Sequence, residues 1–358
     1  MRQVRALMLG VTLIALMVAC SGYLLLQEMR ASAGSSPEPV EVLIEPGEST
    51  SEIAAKLASQ GLIRQPVIFT TLVRAQGLDG KLQAGRYVLN RTMTMGDILV
   101  TLQFNRVGDV EVRITEGMRL EEIAEVLAET EIVSEEAFLA AARNGDAFKA
   151  NHFLLTSLPA GASLEGYLFP DTYRIAATAS VTDIIEVLLD RFDEQYSTFE
   201  KDVRVPDVSV HQLVTMASIV QREAALESEM PLIAAVFWNR LKTENVEETG
   251  DGRLGSDATV QYALGYSPDE RTWWRKYLTA NELAFDNPYN TRARAGLPPG
   301  PISNPGLAAL QAAAQPDETA NYLYFVVSCD LDGSHHFTTT FEEFQEYEAE
   351  YLACSGQQ

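Results

Sequence analysis

The sequence predicts an α+β chain of several domains, carried on an N-terminal transmembrane helix. Three observations predict it. Residues Ala6 to Leu26 form an apolar stretch without a charge, a strand–turn–helix pattern occurs twice after it, and helical periodicity then alternates with loops and one apolar strand run. With 358 residues, 46% hydrophobic and 22% charged, the chain has a globular balance and room for two or three cores.

About 20 consecutive apolar residues suffice to span a bilayer, so residues 6–26 read as an anchor. Arg2 and Arg5 precede it, which keeps residues 1–5 in the cytoplasm and sends the rest of the chain outside. A cleaved signal peptide has an apolar core of only about 7–15 residues, whereas Tyr23-Leu24-Leu25-Leu26 prolongs this one. A lipoprotein signal would use Cys20 after Ala19, but Met17 fits that pattern poorly. Residues 27–39 include Ala31-Ser32-Ala33-Gly34-Ser35-Ser36-Pro37, the composition of a flexible tether. The formal net charge of -23 excludes nucleic acid as a partner, because binding phosphates requires a surplus of Lys and Arg. It also argues against broad docking on anionic lipid.

The repeat comes next. Val42-Leu43-Ile44-Glu45-Pro46-Gly47 precedes Glu52-Ile53-Ala54 and Leu57, and Val112-Arg113-Ile114-Thr115-Glu116-Gly117 precedes Glu122-Ile123-Ala124 and Leu127. Each copy reads as a strand, a glycine turn and a helix with one apolar face. Between them, Val67–Ala75 suggests a second helix and Gly85–Leu89 a closing strand. A strand–helix–helix–strand unit over residues 40–110 resembles the LysM fold, which binds glycans containing N-acetylglucosamine. The alternative is a small α+β module that binds no sugar. Residues 111–163 form the second strand–helix module or connector, and residues 164–358 a mixed α+β catalytic domain. Within the latter, Val181–Phe192 and Val208–Lys242 are helical by periodicity, Thr243–Pro305 is rich in loops, and Tyr322–Val327 is a strand.

One carboxylate stands out. Turning the helix around Val208–Glu227 by about 100° per residue places Glu223 within the apolar arc of Leu213, Met216, Ile219 and Val220. Gln221 and Arg222 fall on the polar side. Burial disfavours the ionised carboxylate and raises its pKa, as a general acid working near neutral pH requires. Glu227 shares the arc if the helix continues so far, and a structural salt bridge would explain Glu223 as well.

The segment Met216-Ala217-Ser218-Ile219-Val220-Gln221-Arg222-Glu223 resembles the catalytic helix of the endolytic murein transglycosylases, the YceG-like family. The likeness continues through Ala235–Leu241 with Asn239, Ser256-Asp257-Ala258-Thr259-Val260, Pro288-Tyr289-Asn290-Thr291, Gly296–Gly306 and Gly333-Ser334-His335-His336-Phe337, and spans nearly the whole chain. It departs at Gln221, where the family usually has glutamate, at Ala258, where it has proline, and at Glu343-Phe344, where it has an acidic residue followed by histidine. The exchange at Ala258 is expected to loosen a loop.

The resemblance implies a bacterial inner-membrane enzyme, facing the periplasm, that uses one carboxylate and no cofactor. Glu223 protonates the oxygen leaving C1 of N-acetylmuramic acid, then takes the proton from the sugar's C6 hydroxyl as that oxygen closes a 1,6-anhydro ring. Ordinary glycosidases need two carboxylates. Asn290, Thr291, Asp257 and Asn239 are the candidate substrate contacts, with Asp257 the second carboxylate if the enzyme is instead a hydrolytic muramidase. The proline-rich Gly296–Gly306 segment reads as a rigid cleft wall or a stiff surface loop. The implied partners are peptidoglycan strands and the peptidoglycan synthases at the same membrane.

Other chemistries find little support. The chain has neither a G-x-S-x-G elbow nor an H-E-x-x-H helix. His335 and His336 face opposite ways on a strand, and no cysteine spacing suits a metal. Cys329 and Cys354 are both expected outside the cytoplasm, where a disulfide could form, and the sequence leaves open whether they pair. Trp238, Trp273 and Trp274 are candidates for stacking on sugars, though burial is the commoner fate. A non-catalytic glycan-binding scaffold is the reading from a different class.

Overall fold

A computed structural model describes residues 31–45, 47–104, 109–177, 179–245, 248–330 and 332–355. The expected cytoplasmic residues 1–5 and the anchor at 6–26 lie outside the described residues, among which no helix is long and apolar enough to cross a membrane. The chain divides into two compact units, one reaching Val110 and including Arg174–Ala177, the other formed by Glu111–Tyr173 and the chain from Thr178 onward.

In the first unit, β1 (Val40–Ile44) alternates in burial, with Val42 and Ile44 inside and Glu41 and Leu43 outside. Helix α1 (Thr50–Ser59) starts at a capping box in which Ser49 and Glu52 satisfy each other's backbone N–H groups. Pro66 opens α2 (Pro66–Ala75), a position where its missing N–H costs nothing. β2 (Gly85–Leu89) closes the unit antiparallel to β1, with Val42 opposite Tyr87. The strand–helix–helix–strand order is the expected one. The helix α3 (Met95–Phe104) was not expected, and it completes the core: Ile98, Leu99 and Leu102 join Ile53, Leu57, Phe69, Val73 and Tyr87. Tyr87 Oη donates to the Leu102 carbonyl at 3.0 Å, so its polar end is satisfied inside.

The second copy of the repeat falls in the second unit. β3 (Asp109–Arg113) leads into α4 (Leu120–Ala128), whose Leu120, Ile123, Ala124 and Leu127 are buried as the pattern predicts. Its later course differs from that of the first copy. Helix α5 (Glu135–Ala142) and two 3-10 turns follow, and β3 is paired by β4 (Thr172–Ala176), far along the chain.

Beyond α6 (Val181–Ser197) lies the central helix α7 (Val210–Glu223), again started by a capping box, Ser209 with Gln212. Every residue from Leu213 to Val220 is buried, including Thr215 and Ser218. The helix is therefore enclosed all round, and the polar side expected from its periodicity meets protein rather than water. It packs against α8 (Met230–Arg240) and α11 (Leu307–Ala314). Short helices α9 (Asp257–Leu264) and α10 (Ala280–Leu283) occupy the loop-rich stretch. The hairpin of β5 (Tyr324–Val327) and β6 (His335–Thr338) is followed by α12 (Phe341–Cys354). Cys329 and Cys354 are joined in a disulfide, which fastens the end of α12 to the hairpin turn.

The proline-rich segment Gly296–Gly306 is an interior strut, neither a cleft wall nor a surface loop along most of its length. Ile302 N–H donates to Ser218 Oγ at 3.0 Å, Ser303 Oγ to the Ser218 carbonyl, and Gly306 N–H to Gln221 Oε1 at 2.9 Å. Residues Pro301 to Gly306 are all buried. Gly166, at φ 90°, lets this strut close in, because a Cβ there would stand 2.5 Å from Pro301.

Candidate active site

Helix α7 stops at Glu223 because Ala224 turns to an extended conformation with ψ of 123°. That break decides between the two glutamates on the apolar arc. Glu227 lies beyond the helix in an exposed 3-10 turn, while Glu223 ends the buried helix and opens on a cavity of about 520 Å³.

Val236, Phe237 and Arg240 of α8 line this cavity around Glu223, and three further segments complete it. The loop Thr249–Asp257 forms one side, β5 with the preceding Leu323 a second, and α12 contributes Phe341, Phe344, Glu348 and Tyr351. The loop folds back tightly: Gly250, Asp251, Gly252 and Gly255 all have positive φ. Three of these are glycines, which adopt that conformation without strain. The result is that Ser256, only 3% exposed, turns its hydroxyl onto Glu223 Oε1 as a hydrogen-bond donor. Ser256 stands at the N-cap of α9 yet makes no side-chain cap bond there. Its hydroxyl serves the carboxylate instead of the helix.

The electrostatics of Glu223 are a contest. Enclosure by protein raises its pKa above the usual carboxylate range, and the nearby Asp257 charge adds to this. The Ser256 hydroxyl, the Ala258 N–H and His335 pull the other way. Burial wins, so the proton is held to higher pH than on a free glutamate. His335 lines the cavity and is fixed by Glu229, whose carboxylate lies 2.7 Å from Nδ1 and accepts the His335 N–H.

The other expected substrate contacts are placed differently. Asn290 is fully buried, donating to the Leu283 and Phe285 carbonyls at 3.0 and 2.7 Å. Thr291, 1% exposed, accepts the Ser256 N–H at 3.1 Å and bonds Thr259 Oγ1 at 2.8 Å. Asn239 donates to the Ala320 and Tyr322 carbonyls. These three side chains support the walls, and Thr291 does so directly behind Ser256. Asp257 does reach the cavity, but Arg292 Nη1 donates to it at 2.6 Å.

Ala258 sits buried in the first turn of α9, not in a loosened loop. Phe344, at the third departure from the family pattern, lines the cavity. Gln221 and Arg222 are engaged within the protein, Arg222 lying 3.7 Å above the Trp274 ring. Trp273 and Trp274 donate to Glu125 and Glu122 of α4, and Trp238 to the Ala313 carbonyl. The residues missed from sequence are Ser256 and the arginines Arg240, Arg253 and Arg292. Ser256 lay inside a quoted motif, but nothing in local periodicity distinguished its hydroxyl.

Among the described residues, His152, Glu186 and Asp190 bring potential metal-ligand atoms within 4.8 Å of one another. Both His152 ring nitrogens are already bonded at 2.7 Å, to Asp193 and Glu186. The group reads as an ion-pair cluster.

With this geometry in view, the comparisons are specific. The model of the YceG-like family matches residues 42–350. This chain belongs to that family. A Bacillus subtilis (strain 168) protein named endolytic murein transglycosylase is 32% identical over 335 residues, covering 90% of this chain and 87% of that protein. A protein of the same name from Streptococcus pneumoniae serotype 2 is 28% identical over 373 residues, covering 98% of this chain but 66% of its own length. A crystal structure of a yceG-like protein from Listeria monocytogenes matches with a TM-score of 0.54 at 30% identity, covering 87% of this chain and 99% of that one. The mixed α+β architecture is thus that of the YceG-like family.

Proposed function

We propose that this YceG-like chain is an endolytic murein transglycosylase with Glu223 as its single acid/base. The observation that carries the reading is a carboxyl group with a raised pKa at the end of a buried helix, facing a cavity of about 520 Å³. The names of its relatives support the substrate class.

Glu223 gives its proton to the β-1,4 glycosidic oxygen between N-acetylmuramic acid and N-acetylglucosamine as the bond to C1 breaks. The C6 hydroxyl of the same muramic residue attacks C1, and its proton returns to Glu223. Water is neither consumed nor positioned, so one carboxylate closes the cycle. Ser256, donating to Glu223 Oε1, orients the group and offsets its charge once the proton has left. The pairing of Asp257 with Arg292 fits a supporting role better than that of a nucleophile.

In the same reading residues 6–26 anchor the chain in the inner membrane, with the N-terminus cytoplasmic and the remainder periplasmic. The Cys329–Cys354 disulfide suits such an oxidising compartment. The β1–α1–α2–β2 unit is the LysM-like part that grips glycan, and cleavage within nascent strands terminates their elongation beside the synthases.

The test is digestion of purified glycan strands followed by mass spectrometry. The wild type should leave 1,6-anhydromuramic ends, and Glu223→Gln should slow release by at least about 10²–10⁴-fold. Reducing ends, one water heavier, would establish a hydrolytic muramidase instead. Binding without any product from the wild type would establish a scaffold.

A further inference from the structure

We infer that Arg253 makes the cleft select glycan that carries carboxylates on its muramic residues. This rests on the cleft being the glycan-cleaving site. In a chain of net charge -23, three guanidinium groups line this one cavity: Arg240, Arg253 and Arg292. They are not equivalent. Arg292 is paired with Asp257. Arg240 donates to the Arg253 and Leu323 carbonyls at 2.8 Å each and lies over the Tyr324 ring, so its Nε and Nη1 hold the loop to the start of β5. Its charge nevertheless meets no carboxylate among the described residues.

Arg253 is exposed, as Arg292 is, but its guanidinium makes no hydrogen bond or ion pair among the described residues. The backbone fixes where it stands. Its N–H donates to the Thr249 carbonyl, and the flanking Gly252 carbonyl accepts from Gly296, in a loop already bent by four positive-φ residues. Glu348 is the acidic group on the facing α12 wall, leaving a surplus of positive charge beside a Glu223 that stays protonated to higher pH than usual. A forked, solvent-facing guanidinium beside a compensated cleft is suited to a bidentate carboxylate.

N-acetylmuramic acid is the sugar of this polymer that brings carboxylates. They come either from the stem peptide on its lactyl group or, once that peptide is removed, from the lactyl group itself. An uncharged sugar chain would gain nothing from Arg253.

The experiment measures affinity with the full chain carrying Glu223→Gln, with and without Arg253→Gln. Three soluble strand preparations serve as probes: peptide-bearing, peptide-bearing with all carboxylates chemically amidated, and peptide-free with lactyl carboxylates exposed. The expected result is about fivefold weaker binding from Arg253→Gln on a carboxylate-bearing strand, the upper range for an exposed ion pair, and equal binding on amidated strands. Arg253→Lys should restore part of the loss. Discrimination on peptide-bearing strands assigns the stem peptide as ligand, and discrimination on peptide-free strands alone assigns the lactyl group. An equal loss on all three preparations, or no loss on any, overturns the inference. Cleavage by the Glu223→Gln chain would instead refute the catalytic assignment while the affinities still read Arg253.

Discussion

At the scale of single residues, the state of Glu223 is set first by burial and then by the groups around it. Enclosure and Asp257 raise its pKa, and Ser256, Ala258 and His335 restrain the rise. Ala258 occupies a position where the family usually has proline, and proline has no N–H to offer. The second residue of α9 accepts proline without strain, since first-turn N–H groups have no partner within the helix. Ala258→Pro should therefore raise the Glu223 pKa further. In the proposed mechanism the acid must be protonated to start the reaction, so the falling limb of the pH–rate profile should move to higher pH, and a limb that stays put would show that the Ala258 amide does not act on Glu223.

A second buried carboxyl makes a cleaner test of linkage. Glu165 is 1% exposed and accepts from the Leu120 N–H at the start of α4, from Asn304 Nδ2 at 2.9 Å and from Tyr262 Oη at 3.2 Å. Burial pushes its pKa up to about 8, against an ordinary value of 4.5. Between those values the folded chain holds a proton that the unfolded chain has lost. Stability from this group is therefore complete below the ordinary value, falls as pH rises through the window, and levels off above it. Urea unfolding from pH 5 to 9 should show a declining contribution that Glu165→Gln removes, and an unchanged slope in the variant would contradict the assignment.

At the scale of elements, α12 is the weakest part of the cavity wall. It buries none of its residues fully, yet Phe341, Phe344 and Tyr351 face the cavity. What fastens its far end is the disulfide, whose cysteines are 25 positions apart. A cross-link closing a loop of that order stabilises by about 2–4 kcal/mol. Replacing both cysteines with serine should lower stability by about that much, speed hydrogen exchange along α12 and slow glycan cleavage. Exchange protection that is the same in wild type and variant would mean that packing on the β5–β6 hairpin suffices. Pattern reading gave no helix at α12, while it found α1, α2, α4, α6, α7 and β5 because apolar spacing is a local signal. It missed α3, whose Ile98, Leu99 and Leu102 follow a Met-Gly-Asp start that carries little helix signal.

At the scale of the whole molecule, the two units hold separate sets of buried side chains. The core of the first runs from Val42 to Leu102, with Leu57 fully buried at its centre. Leu57→Ala should cost about 2–5 kcal/mol and lower one of two calorimetric transitions while leaving the other in place. A single transition that shifts as one would show that the units unfold together.

The sequence by itself determined many of the element types, the repeat, the acidic surface and the acid on the apolar arc of α7, because these follow from residue type and spacing within a few turns of chain. Its family-like motifs also led to Glu223, and the end of α7 is what sets that residue apart from Glu227. Only the tertiary structure decided how the polar residues of those motifs are used. Asn290, Thr291 and Asn239 spend their hydrogen bonds inside the protein, while Ser256, 33 positions from Glu223, supplies the donor that faces the acid. The reason is physical: a loop side chain points where long-range contacts hold its backbone, and those contacts leave no periodic trace in the sequence. Arg253 is the sharpest case, since its loop is bent at Gly250, Gly252 and Gly255 and its meaning comes from the cavity that the loop turns it towards.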